Sequence, residues 1–225
     1  MNLLKENFYS EIVYMSNGKF IVIEGIDGSG KTSICYFLKK LLLKHKKCHV
    51  KVLRDPGSTS ISEKIRYLIK NSIKNEYMFY ETELLLIYAA RVQLTKLVIS
   101  PELKKGNWII SDRYALSSLA YQGGGRKISK KKILLLQSLF LKNVIPDITF
   151  YLDVKPSTGL ERITKRKNKD RIEKNTLNFF IQVRHAYLEF IRNDSKTIKI
   201  NANYNLNTVK KNFKLEFCSW LNENI

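Results

Sequence analysis

Acidic side chains are in short supply. Twenty Asp and Glu stand against 40 Lys and Arg, so the formal net charge is +20 and the isoelectric point is about 9.8. Such an excess suits a nucleic-acid partner in principle. The lysines, however, are spread along the whole chain among many Ile and Asn, the three residues that A/T-rich codons favour. Genome composition accounts for that pattern, and no nucleic-acid partner is expected. Cysteine is scarce and odd in number. Cys35, Cys48 and Cys218 show no C-x-x-C spacing and no cluster with His45, His49 or His185. That excludes a disulfide framework and a zinc site, and points to reduced thiols in a cytoplasmic protein. Long apolar runs are missing too: the longest, 84–90, falls well short of the roughly 20 residues a spanning helix needs, so no membrane partner is expected. The first eighteen residues carry Glu6 and Glu11 and have no signal-peptide core. They read as an N-terminal extension ahead of one domain spanning 19–225, with Met15 a candidate start five residues before the first strand.

What is present begins with Gly25-Ile26-Asp27-Gly28-Ser29-Gly30-Lys31-Thr32, which fits G-x-x-x-x-G-K-[ST]. The four fixed positions recur by accident in about one chain of this length in a hundred. Context makes accident rarer still. The apolar run 20–23 precedes the motif, and Ile34, Phe37, Leu38, Leu41 and Leu42 follow it at the spacing of a helix with one buried face. Between strand and helix, such a loop cradles the phosphates of a nucleotide. Its glycines let the backbone approach an anion, and amides at the helix start point at it. Lys31 is expected to reach the β- and γ-phosphates, and the Thr32 hydroxyl to ligate Mg²⁺.

Five short, mostly apolar and β-branched runs predict strands at 20–24, 49–54, 108–112, 147–153 and 197–201. Helical periodicity predicts helices at 31–46, 61–71, 81–103, 115–121, 129–142, 173–192 and 206–222. Alternation of the two predicts an α/β fold: a five-stranded parallel sheet with helices on both faces, and ligands at the carboxyl ends of the strands. At those ends stand Glu24, Arg54-Asp55-Pro56-Gly57, Asp112-Arg113-Tyr114 and Asp153. The basic run from Arg162 to Arg171 reads as a loop over the phosphate site, part of a small lid at about 155–173. Because the phosphate loop carries no cation at Asp27-Gly28-Ser29, a guanidinium for transition-state charge must come from elsewhere, and this run is the natural donor.

Five separated signatures resemble the thymidylate kinase family of the bacterial type, within the P-loop nucleoside monophosphate kinases. They are 23–32, Arg-Asp-Pro-Gly at 54–57, Tyr-Ala-Ala-Arg-Val-Gln at 88–93, Asp-Arg-Tyr at 112–114 with Ala-Tyr-Gln-Gly-Gly-Gly-Arg at 120–126, and Asp-Arg-Ile-Glu at 170–173. The resemblance implies phosphoryl transfer from ATP to dTMP with Mg²⁺, in a homodimer packed through helices. It implies that Arg91 hydrogen-bonds thymine, that Arg54 and Arg113 hold the acceptor phosphate, and that Asp27 faces the acceptor sugar and phosphate. Tyr121 would crowd the 2′ position, Ser118 and Gln122 would line the pocket, and Asp112 would help organise Mg²⁺. Arg166 is assigned as the lid arginine, with Arg162 and Arg171 supporting it. Three departures stand out: Asp55 and Ser58 in the usual Arg-Glu-Pro-Gly-Gly, Asn201 in the usual Ile-Asp-Ala, and Ile87 where a Phe normally stacks on the base. Ile87 gives apolar contact without ring stacking, so weaker base affinity is expected unless Tyr88 moves in to compensate. An acceptor that is already an anionic phosphate needs no strong base, which agrees with the absence of histidine from every signature; positioning and charge neutralisation carry such a reaction. A kinase for another nucleoside monophosphate, or a basic P-loop ATPase acting with nucleic acid, are the alternatives.

Overall fold

The computed structural model describes residues 18–43, 49–141, 144–165 and 169–224. Its five strands are β1 (Phe20–Glu24), β2 (Val50–Arg54), β3 (Trp108–Asp112), β4 (Ile148–Asp153) and β5 (Thr197–Asn201). All neighbours are parallel, in the order β2-β3-β1-β4-β5. Every residue of β1 and β4 is buried, as central parallel strands covered on both faces require. Alternation divides β1 between two cores. Ile21 and Ile23 join Trp108, Ile110 and Phe150 on one face, while Phe20 and Val22 join Ile109, Leu84 and Tyr88 on the other.

Helices fill both layers. They are α1 (Lys31–Leu43), α2 (Ser60–Lys70), α3 (Tyr80–Leu94, continuing to Lys104), α4 (Ala115–Ser118, continuing to Gly125), α5 (Lys130–Phe140), α6 (Pro156–Thr164), α7 (Leu177–Ile191) and α8 (Leu206–Asn224). The expected helices are present with shifted ends, and the part of the first beyond Leu43 lies outside the described residues, as do Met15 and the extension up to residue 17. Two helices widen into π turns. In α3 the turn Thr95–Ile99 precedes Pro101, which has no N–H to continue the regular ladder, and Ser100 N donates instead to Thr95 O. In α4 the turn Leu119–Gly125 sets Gly124 and Gly125 against α7; a Cβ on Gly124 would meet Ala186 Cβ at 2.4 Å.

One helix was not expected. No helix is predicted at 156–164, within the expected lid, yet these residues form α6, with Pro156 in the first turn where a missing N–H costs nothing. Gly159 of α6 packs backbone to backbone on the phosphate loop: a Cβ there would meet Asp27 O at 2.8 Å. Tyr80–Lys104 is long and apolar enough to cross a membrane by composition, with a mean hydropathy of 1.3. In this fold it is a core helix under the sheet, and Glu83 and Arg91 within it are buried and paired.

The end of α3 is tied to the sheet by Glu102. Its carboxylate accepts hydrogen bonds from Lys105 Nζ (2.9 Å) and Asn107 Nδ2 (2.8 Å) and pairs with Lys51 Nζ at 3.1 Å. The bond from Lys105 first, then those from Asn107 and Lys51, lower its pKa from 4.5 to about 2. A lowered carboxylate stabilises the fold in full above its unfolded pKa and ceases to as pH falls through the folded one. Glu102→Gln should therefore unfold at lower urea than the parent at neutral pH, and the gap should close between pH 4.5 and pH 2. A gap that persists unchanged at pH 2 would contradict this linkage.

Candidate active site

Strand register brings the expected strand ends to one edge. Asp112 is the partner of Ile23 on one side and of Arg54 on the other, so β1, β2 and β3 end together. From β1 the chain enters the phosphate loop, where Gly25, Gly28 and Gly30 all take positive φ (143°, 79° and 93°). Gly28 leaves no room for a side chain, since a Cβ would sit 2.3 Å from Gly159 O. Ile26 O closes the loop by accepting from Ser29 N (3.2 Å) and from Lys31 Nζ (2.9 Å). Burial, then the neighbouring Arg113, lower the Lys31 pKa from 10.5 to about 8. Thr32 Oγ1 donates to Asp112 Oδ2 at 2.7 Å, which puts both expected metal-binding groups side by side.

Arg113 is the junction between the loop and what lies beyond it. Its φ of 75° is unusual for a residue with a side chain, a strain that the surroundings must hold. NH1 donates to Gly25 O (2.9 Å), Ser117 Oγ (3.2 Å) and Tyr187 OH (3.2 Å); NH2 donates to Asp27 Oδ1 (2.8 Å) and Tyr121 OH (2.9 Å). Tyr121 OH in turn donates to Asp27 Oδ2 at 2.7 Å. Burial alone would raise the Asp27 pKa, but Arg113 and Lys31 hold it well below the usual carboxylate range. Burial pushes the Tyr121 phenol well up, so it remains a hydrogen-bond donor at any working pH.

Beyond Arg113 a cavity opens between α2, α3 and α4. Ile87, Arg91, Ser118, Tyr121 and Gln122 line its inner end, and Arg66 and Arg113 line the end nearest the phosphate loop. Arg91 is 1% exposed; its Nε is salt-bridged to Asp55 Oδ2, its NH1 donates to Ser118 Oγ at 2.8 Å, and the ring of Tyr88 lies 5.1 Å beneath it. A second hollow continues from Arg66 and Arg113 to Thr32 and Asp112, with Arg54 at its rim. A guanidinium-lined path therefore connects an apolar slot with polar ends to a phosphate loop and a hard-oxygen pair.

The thymidylate kinase family profile matches residues 23–213. The thymidylate kinase of Buchnera aphidicola subsp. Baizongia pistaciae is 59% identical over 208 residues, covering 92% of this chain and 98% of that protein. That of Buchnera aphidicola subsp. Schizaphis graminum is 52% identical over 211 residues, covering 94% and 100%. The thymidylate kinase of Wigglesworthia glossinidia brevipalpis is 42% identical over 234 residues, covering 94% and 100%. The chain belongs to the thymidylate kinase family.

Most residues that the family resemblance singled out meet around this path: Asp27, Lys31, Thr32, Ile87, Arg91, Asp112, Arg113, Ser118, Tyr121 and Gln122. Arg54 sits at the rim, in a bidentate pair with Glu63 (3.2 and 2.7 Å). Ser58, in place of the family's usual glycine, has φ 65°, and its hydroxyl donates to Arg54 O at 3.2 Å while its oxygen accepts from Arg54 N at 2.8 Å. Tyr88 does not enter the cavity to replace a stacking ring; it is buried, and its hydroxyl donates to Ile133 O at 3.1 Å.

The three arginines expected in the lid part company. Arg162, in the last turn of α6, donates to Gly28 O (3.2 Å), Ala202 O (3.1 Å) and Tyr204 O (3.2 Å), a brace behind the phosphate loop. Arg171 lies on the acceptor side, with its Nε donating to Ile69 O at 2.9 Å and its NH2 paired with Glu83. Arg166 lies outside the described residues. Sequence reading missed Arg66, which lines both hollows and donates to Pro56 O at 2.8 Å. Its signal was helical phase: it stands three residues after Glu63 and therefore on the face of α2 that Glu63 turns toward Arg54.

Proposed function

We propose that the chain transfers the γ-phosphoryl group of ATP to dTMP, giving ADP and dTDP for dTTP synthesis. The observation that carries this reading is the continuous path from a base-sized slot, through Arg66 and Arg113, to Thr32 at the end of the phosphate loop. ATP is held by Gly25, Ile26, Asp27, Gly28, Ser29, Gly30, Lys31 and Thr32, with loop amides and Lys31 on the phosphates. Lys31 must leave Ile26 O to do so. In the acceptor slot Arg91 donates to the thymine carbonyl, Ile87 packs on the ring face, and Ser118 and Gln122 close the polar edge. Tyr121 occupies the side where a 2′-hydroxyl would project. Arg113 and Arg66 take the acceptor phosphate, with Arg54 joining from the rim.

The acceptor oxygen is anionic already, so the residues' work is alignment and charge neutralisation. Arg113 exchanges its Asp27 contact for phosphate oxygens as the acceptor arrives, and Asp27 remains against Tyr121 to fix the sugar's side of the site. Mg²⁺ suits the Thr32–Asp112 pair: both are hard oxygens, and this metal takes few protein ligands beside phosphate and water. When bound, it neutralises charge on the transferred group.

A coupled ADP-release assay over a panel of nucleoside monophosphates tests the reading. Turnover should depend on dTMP, and the absence of acceptor-dependent turnover with every deoxynucleotide would defeat it. Arg166 keeps its assignment as the lid arginine on the sequence alone; Arg166→Ala should lower kcat more than it raises KM for either substrate, and near-normal kcat would remove it from that role. The enzyme is proposed to act in the cytoplasm as a homodimer. Support for the dimer comes from exposed Leu85 and Leu97 on α3 and Leu134, Leu135, Leu139 and Phe140 on α5, two helices covering the same sheet face.

A further inference from the structure

The deepest carboxylate on the acceptor side belongs to none of the expected site residues. Glu83, on the first turn of α3, is fully buried. Its Oε1 accepts from Gln122 Nε2 at 2.9 Å and from Arg126 Nε at 3.3 Å, while Oε2 accepts from Arg126 NH2 at 3.4 Å and from Arg171 NH2. The cluster cannot easily turn. Arg126 is clamped between the rings of Tyr80 (4.8 Å) and Phe179 (4.7 Å), and its NH1 donates to Asn175 Oδ1 at 2.9 Å. Arg171 is anchored through Ile69 O, and its backbone N donates to Lys70 O at 2.8 Å.

A carboxylate gripped by two guanidiniums can only accept hydrogen bonds, so it fixes which end of a neighbouring amide it meets. Gln122 must turn its –NH₂ to Glu83. The amide's Oε1 then has no partner among the described residues, and Gln122 lines the cavity beside Arg91. The inner end of the slot thus offers a donor, the Arg91 guanidinium, and an acceptor, Gln122 Oε1. An imide edge, carbonyl next to N–H, matches that pair. An amino-pyrimidine edge, –NH₂ next to an unprotonated ring nitrogen, opposes it at both positions.

Resting on the reading that this cavity holds thymidylate, we propose that Glu83 is a positioning residue for base specificity: it orients the Gln122 amide so that its oxygen accepts from N3–H of thymine, and so excludes cytosine. Freed of Glu83, Gln122 can rotate its amide and offer –NH₂ to N3 of cytosine. Sites built to hydrogen-bond a substrate group reject analogues lacking it by about 10⁴-fold or more, so a large discrimination is available to lose.

The test compares kcat/KM for dTMP, dCMP and N3-methyl-dTMP. Wild-type enzyme should use the latter two at least about a hundredfold less well than dTMP. In Glu83→Gln the dTMP-to-dCMP ratio should fall about tenfold or more. That variant leaves two guanidiniums without their carboxylate, so Glu83→Gln/Arg126→Gln is made beside it; the double change removes one charge of each sign and leaves net charge as it was. A purely structural role for Glu83 would lower both activities in parallel and keep the ratio, and that outcome in either folded variant overturns the proposal. So does wild-type use of N3-methyl-dTMP within tenfold of dTMP. Wild-type enzyme with no dTMP turnover overturns the underlying function instead.

Discussion

Arg113→Lys should lower kcat about a thousandfold, the scale on which phosphoryl-transfer enzymes depend on a transition-state arginine. Calorimetry should find the variant's affinity for ADP within a few-fold of wild type, because the loop amides and Lys31 hold that ligand. The reason lies in geometry more than charge. Arg113 addresses five oxygens from two nitrogens, and those oxygens belong to the phosphate loop, α4 and α7. A lysine keeps the charge but brings one nitrogen on a flexible stem, so it cannot hold the loop carbonyl and a phosphate oxygen together. The backbone strain at φ 75° is sustained by Glu24, which accepts from Tyr114 N (2.8 Å), Ser117 N (3.2 Å), Ser117 Oγ (2.6 Å) and Tyr187 OH (2.8 Å). The substitution leaves that support intact, so the loss should fall on rate with little change in Tm. A kcat within tenfold of wild type would take Arg113 out of the transition state.

Glu24 also shows where sequence reading stops. The strands were legible because buried parallel strands are short apolar runs between turns, and each predicted run lies within one residue of the strand found. Spacing and family signatures likewise picked out residues that gather around the cavity and the phosphate loop, from Lys31 to Gln122. Neither reveals a buried carboxylate's duty. Glu24 appeared only as the end of a strand, and Glu83 only as a polar residue in a helix; both prove to be hubs whose partners lie far away in sequence. Arg66 was hidden for a related reason, since a helix has a site-facing side only once the sheet beneath it is known. The helix at Pro156–Thr164 escaped because Pro156 and Gly159 are poor helix formers, and Gly159 is there for its contact with Asp27 O. The basic run therefore looked like one loop with one purpose, whereas Arg162 and Arg171 brace opposite ends of the site.

The second large effect concerns Arg91, where fold and function can be separated by one extra substitution. Arg91→Met removes the proposed donor for the base and leaves Asp55, 1% exposed, without a salt-bridge partner among the described residues. Burial already raises the Asp55 pKa against the opposing pull of Arg91, and its Oδ1 has no hydrogen-bond partner among the described residues. Losing one member of a buried pair costs about 3–5 kcal/mol. In a chain of this size that lowers Tm on the order of 10 °C. The same change should reduce kcat/KM for dTMP by about a hundred- to a thousandfold, the scale for losing a buried charged hydrogen-bond donor. Asp55→Asn/Arg91→Met exchanges the stranded carboxylate for a neutral amide, so most of the lost Tm should return. Turnover should not return, because the guanidinium proposed to donate to the thymine carbonyl is still missing. Were dTMP turnover to recover with the melting temperature, Arg91 would matter only as the partner of Asp55, and base recognition would have to rest on Gln122 and Ser118.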